Sequence, residues 1–111
     1  MKITEQRQGA VVVIRPCGPV VAAEVDQLRK RIMEAIDQSR GRFVLDISEI
    51  AYVDSRGLEL LLDVRDAVHA GGQVLKLCGR NGTLRQVLEM TELALLFEPY
   101  EDANMAVRSF L

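Results

Sequence analysis

The stretch FVLDISEIAYVDSRGLELLL (residues 43–62) changes its hydrophobic period midway, and that change decides the fold. With Arg42 in front, RFVLDIS is a short continuous apolar run, the pattern of a strand buried on both faces. A loop, EIAYV, follows. From about Asp54 to Ala70 the apolar residues return at helical spacing, with Leu58, Leu61, Leu62, Val64 and Val68 placed to point inward. Gly71 and Gly72 end this helix, and QVLKLC (73–78) reads as another short strand. Strand, helix and strand span about thirty-five residues, the length of a right-handed parallel crossover.

The same reading extends in both directions. KITEQRQ (2–8) alternates loosely, and GAVVVIRPCG (9–18) is a β-branched run closed by Pro16 and Gly18, a buried strand. Gly9 between them favours a hairpin. From Ala23 to about Gln38, Val25, Leu28, Ile32, Ala35 and Ile36 share one helical face, opposite Arg29, Lys30, Arg31, Glu34 and Asp37. Gly41 is suited to the left-handed end of that helix. Downstream, GRNGT (79–83) turns the chain into a helix carrying Leu84, Val87 and Leu88. LALLFEPY (93–100) is a further apolar run broken by Pro99, and Ala103, Ala106, Val107 and Phe110 repeat the helical spacing from Asp102 to Phe110. The expectation is one α/β domain over residues 1–111, with a mixed, mostly parallel sheet of four to five strands and about four packed helices.

Bulk composition narrows the function classes. The chain has 111 residues, 49 % of them apolar and 27 % charged, with a net charge of −2. This is enough to bury a core, and it leaves no basic footprint for nucleic acid. No apolar run reaches membrane-spanning length and the start lacks a signal-peptide apolar region, so no membrane insertion is expected and the cytoplasm is the default location. Cys17 and Cys78 each close an apolar run and read as buried thiols without a CxxC partner. The single histidine, His69, reads as a surface residue near a helix C-terminus, with no second histidine at ligand spacing. Asp46 and Asp54 form a conceivable carboxylate pair, one ending a strand and the other opening a helix, but an acid at a helix start is more often a cap. Neither GxGxxG nor a phosphate loop is present, so no cofactor, metal or enzymatic reaction is implied.

That leaves Asp54-Ser55-Arg56-Gly57. Asp54 or Ser55 can accept hydrogen bonds from the unpaired N–H groups of the first helical turn. Gly57 would keep the surface low, letting another chain approach the backbone. Ser55 then lies at the positive end of a helix and at the C-terminal edge of a strand, where a phosphate is tolerated by the fold. Such a phosphate adds roughly 1.5 to 2 negative charges, repelled by Asp54 and Glu59 and partly neutralised by Arg56. The alternative is a helix cap and nothing more.

The run FVLDISEIAYVDSRGLELLLDVRDAVHAGGQVLKLCGRNGTLRQVLEMTELALLFEPYEDANMAV, with GAVVVIRPCGPV before it, resembles the STAS domain. This is the module of bacterial anti-sigma-factor antagonists and of sulphate-transporter tails. Its most specific part is the strand ending in Leu-Asp, the short loop, and Asp-Ser-x-Gly-Leu opening a leucine-rich helix. The resemblance implies a STAS fold and a partner switch. Ser55 would be phosphorylated by an anti-sigma factor with serine kinase activity and restored by a phosphatase. Asp54, Ser55, Arg56, Gly57 and Glu59 would form the partner-binding surface, ATP would belong to the kinase, and a homodimer is allowed. Two positions depart from the family pattern. Pro19 and Val21 stand where acidic residues are common, and Arg56 stands where a small residue is common; an arginine there is placed to pair with a phosphate, select a partner or obstruct a kinase. The rival readings are an unphosphorylated STAS subunit of a signalling or transport assembly, and a small nucleotide-binding protein using Asp46, Asp54 and the Ser55 hydroxyl.

Overall fold

A computed structural model of the chain describes residues 1–91 and 97–111. The β-branched run Val11–Val20 forms β2, and everything else is arranged around it. It pairs antiparallel with β1 (Lys2–Gln8) through the hairpin at Gly9. Along its other edge it pairs parallel with β3 (Phe43–Asp46). β3 in turn pairs parallel with β5 (Lys76–Cys78), and β5 with β6 (Glu98–Tyr100). The sheet runs β1-β2-β3-β5-β6, mixed and mostly parallel as expected, with α1 (Ala22–Ser39), α2 (Ser55–Ala70), α3 (Gly82–Met90) and α4 (Ala103–Arg108) packed on it. The run LALLFEPY falls partly outside the described residues, and its described end supplies β6.

The segment read as the loop EIAYV holds a sixth strand, β4 (Ile50–Val53). β4 continues the β3 edge beyond a turn and pairs parallel with the far end of β2, Gly18 opposite Ile50 and Val20 opposite Val53. The register shifts between those two pairs, and Gly18 takes φ +112°, a conformation that side chains disfavour. The irregularity of β2 thus makes room for β4. Asn81 holds the intervening turn: its amide nitrogen donates to the carbonyls of Ile47 and Ile50, both at 2.8 Å, while its oxygen accepts from Leu84 N–H at 3.0 Å and caps α3.

The first half of β2, Val11–Ile14, is apolar without alternation because both its faces are covered. Val12 and Ile14 join Phe43, Leu45, Leu60, Val64 and the inner faces of α1 and α2 in the main core. Val11 and Val13 join Val44, Cys78, Ala106 and Val107 in a smaller cluster under α4. α4 has only six residues, and its docking is reinforced by a buried lysine. Lys76 Nζ donates to Ser109 Oγ at 2.5 Å and lies 3.9 Å from the centre of the Phe110 ring.

The inward face of α2 differs from the expected one. Leu61, Val64 and Val68 are buried as anticipated, but the fully buried leucine of the first turns is Leu60, with Leu58 and Leu62 only half-buried. Four leucines within positions 58–62 leave the helical phase open, and packing into the main core beside α1 and β4 chooses it. Cys17, expected to be buried, is half-buried at the irregular end of β2.

Candidate functional site

α2 starts where β4 leaves the sheet, at the C-terminal edge of the parallel strands. Asp54 is its N-cap, with extended backbone. One carboxylate oxygen accepts from Gly57 N–H at 2.9 Å, satisfying a donor that the first helical turn leaves unpaired. The other accepts from Ala22 N–H at 3.0 Å. Ala22 is the first residue of α1, whose own N-cap, Val21, offers no side-chain hydrogen bond. A single carboxylate therefore caps two helices. These bonds, Gly57's foremost and then Ala22's, hold the Asp54 carboxyl below the usual aspartate pKa.

Gly57 corrects the expectation that it lowers the outer surface. It is buried, facing inward over the end of β2. A Cβ placed on it would overlap the Val20 carbonyl oxygen and lie 3.2 Å from Val53 Cβ. The glycine lets α2 seat on the strand end, while Asp54 N–H donates to the same Val20 carbonyl at 3.3 Å.

The remaining residues of the turn face solvent. Ser55 opens α2 in an exposed position. Arg56 and Glu59, with side chains 69 % and 64 % exposed, form an ion pair one turn apart, Nη1 to Oε2 at 4.0 Å. Tyr52, 55 % exposed on β4, adds an aromatic side chain close by in sequence that the sequence reading did not single out. Its signal was an aromatic within a segment read as loop. The structure thus divides the five candidates: Asp54 and Gly57 are committed to internal contacts, and Ser55, Arg56 and Glu59 form an outward cluster.

Other chemistry-bearing residues lie elsewhere. Asp46 does not pair with Asp54; its carboxylate accepts from Ser48 N–H at 3.0 Å and shapes the turn after β3. No group of three or more metal-ligating side chains occurs among the described residues. Burial, and then the charges of Asp46 and Asp102, push the Cys78 thiol up to about 12, where it is protonated and unreactive. His69 is exposed in the last turn of α2. Among the described residues, no helix is long and apolar enough to cross a membrane.

Comparison with known proteins places this geometry in context. A family profile described as the STAS domain matches residues 2–106. BtrV of Bordetella bronchiseptica, provisionally named an anti-sigma factor antagonist, is 26 % identical over 110 residues, covering 99 % of this chain and 95 % of that protein. A crystal structure from Thermotoga maritima, also provisionally named an anti-sigma factor antagonist, superposes with a TM-score of 0.87 at 17 % identity, covering 96 % of this chain and 92 % of that one. The Bacillus cell fate determinant SpoIIAA in its phosphorylated form gives a TM-score of 0.73 at 22 % identity, covering 99 % and 100 % of the two chains. At these identities the structural likeness speaks for the fold.

Proposed function

The chain belongs to the STAS domain family, and on that premise we propose that it is an anti-sigma-factor antagonist that works by partner switching, with Ser55 as the phosphorylated residue. It acts by binding, in the cytoplasm, and the whole chain serves as one STAS domain. Unmodified, it binds an anti-sigma factor through the surface around Ser55, and the anti-sigma factor releases its sigma factor. The partner's kinase activity transfers the γ-phosphoryl group of its own ATP to Ser55 Oγ; the hydroxyl proton is released and ADP leaves. A phosphatase hydrolyses the ester to serine and inorganic phosphate. The phosphate breaks the complex because a charge that the partner does not pair costs several kcal/mol in an interface, about a thousandfold in affinity.

One observation carries this reading: Ser55 is exposed on a turn whose neighbours on both sides are fixed from within, Asp54 by two hydrogen bonds and Gly57 by its seat on Val20. A modification there changes the surface while the frame stands. The names carried by the relatives support the same role. The nucleotide-binding alternative is weakened because Asp46 and Asp54 are both committed to backbone N–H groups. The constitutive-subunit alternative draws on Pro19 and Val21, which replace acids common in the family.

The test is intact-mass analysis of the protein captured from its own cells, together with its bound partner. A phosphate that disappears in Ser55→Ala, and a partner lost from Ser55→Asp while the unfolding transition stays in place, is the expected result. An unmodified Ser55 with binding insensitive to Ser55→Asp would establish the constitutive subunit instead.

A further inference from the structure

The outward cluster contains two residues that neither the capping of α2 nor the phosphorylation of Ser55 requires, Arg56 and Glu59. Side chains on a helix lean toward its N-terminus, so Glu59 lies over the turn that carries Ser55 and Arg56. Glu59 is four residues from Ser55 and three from Arg56, and both spacings make it a neighbour. Its carboxylate is 4.0 Å from the Arg56 guanidinium, and both side chains are largely in solvent. This is a loose contact, of a kind that exposed ion pairs exchange readily.

We propose that Arg56 is an exchangeable counter-ion, held by Glu59 while Ser55 is unmodified and transferred to the phosphate when Ser55 is phosphorylated. The inference rests on Ser55 as the acceptor residue and adds what its neighbours do. A phosphate at Ser55 faces the Glu59 carboxylate across one helical turn, and the two anions repel. Arg56 is paired with Glu59 and follows Ser55 directly in the chain, and a phosphate dianion with three acceptor oxygens outcompetes a single exposed carboxylate for a long, exposed guanidinium that can swing to it. Asp54, the residue before Ser55, adds to the repulsion, and its carboxylate is already committed to Gly57 and Ala22. Phosphorylation then alters the surface twice, adding an anion and withdrawing its cation. A partner that reads Arg56 with an acidic side chain loses that contact in the same step.

The experiment uses the full chain with phosphoserine installed at position 55 during synthesis, so that no kinase is needed. Phosphorus NMR follows the second ionisation of the phosphate, ordinarily near pH 6, in the parent and in Arg56→Gln and Glu59→Gln. Removing the cation should raise that pKa by about 0.3–0.5 unit, and removing the carboxylate should lower it by a similar amount, the size of a screened interaction one helical turn apart. The Arg56 side-chain N–H resonance should shift on phosphorylation in the parent and in Glu59→Gln. A phosphate pKa unchanged in Arg56→Gln, or an Arg56 resonance unmoved by phosphorylation, overturns the proposal. Either result leaves Ser55 as acceptor intact, whereas an unmodified Ser55 in cells would remove the acceptor reading without touching this titration.

Discussion

The starts of α1 and α2 meet at one carboxylate, yet they are built differently. α2 supplies its own cap from Asp54. α1 opens at Val21, which has nothing to offer, and borrows the second oxygen of the same aspartate. Four consecutive residues in the motif thus have two loyalties. Asp54 and Gly57 serve the interior and the neighbouring helix; Ser55 and Arg56 are left to the surface. The division lets one short polar stretch be a structural joint within and an exposed surface without.

The largest expected effect tests the inner side of α2. Leu60→Ala should cost about 3–4 kcal/mol by opening a cavity in the core, while Leu62→Ala, half-buried, should cost less than about 1 kcal/mol. Equal midpoint shifts in urea would contradict the helical phase described above. Next, Gly57→Ala should cost about 2–3 kcal/mol, because the new methyl group meets backbone at Val20 rather than a yielding side chain. A thermal midpoint within a degree of the parent would show that α2 does not seat there.

Asp54 sharpens the contrast between the two helix starts. Asp54→Ser should keep a cap on α2 and lose the one on α1, so amide exchange should speed up at Ala22 more than at Gly57. Equal acceleration at both would mean that the caps are not separable. The same carboxylate gives a pH dependence. Its pKa is lower folded than unfolded, so its contribution is complete above the ordinary carboxylate pKa of about 4 and is lost as pH falls through the folded value. The stability difference between the parent and Asp54→Asn should accordingly shrink below about pH 4 in acid titrations. The smallest effect belongs to Ser55→Ala, within about 0.5 kcal/mol of the parent by chemical denaturation.

The elements legible in the sequence are those set by their own residues. The Val11–Ile14 run, the crossover from β3 through α2 to β5, and the aspartate at the start of α2 all follow from local pattern. Those that escaped depend on residues far along the chain. β4 is half exposed, and it is a strand because β2 bends at Gly18 to meet it. Asp54's second bond reaches a backbone group 32 positions away. Gly57 looks like surface relief until Val20 is placed beneath it. For the same reason Arg56 was visible as an oddity, but its link to Glu59 needed the helix in three dimensions.

Asn81 has a bearing on how the motif can be studied. Its bonds to Ile47 and Ile50 bridge 34 and 31 positions, so the clamp on the turn that launches β4 forms only when a long segment has closed on itself. A synthetic peptide copying residues 50–62 would contain every letter of the motif. It would lack the amide clamp, the Val20 seat and the Ala22 donor. Reagents raised or selected against such a peptide would meet a flexible chain, whereas the folded domain presents a serine held at a fixed orientation.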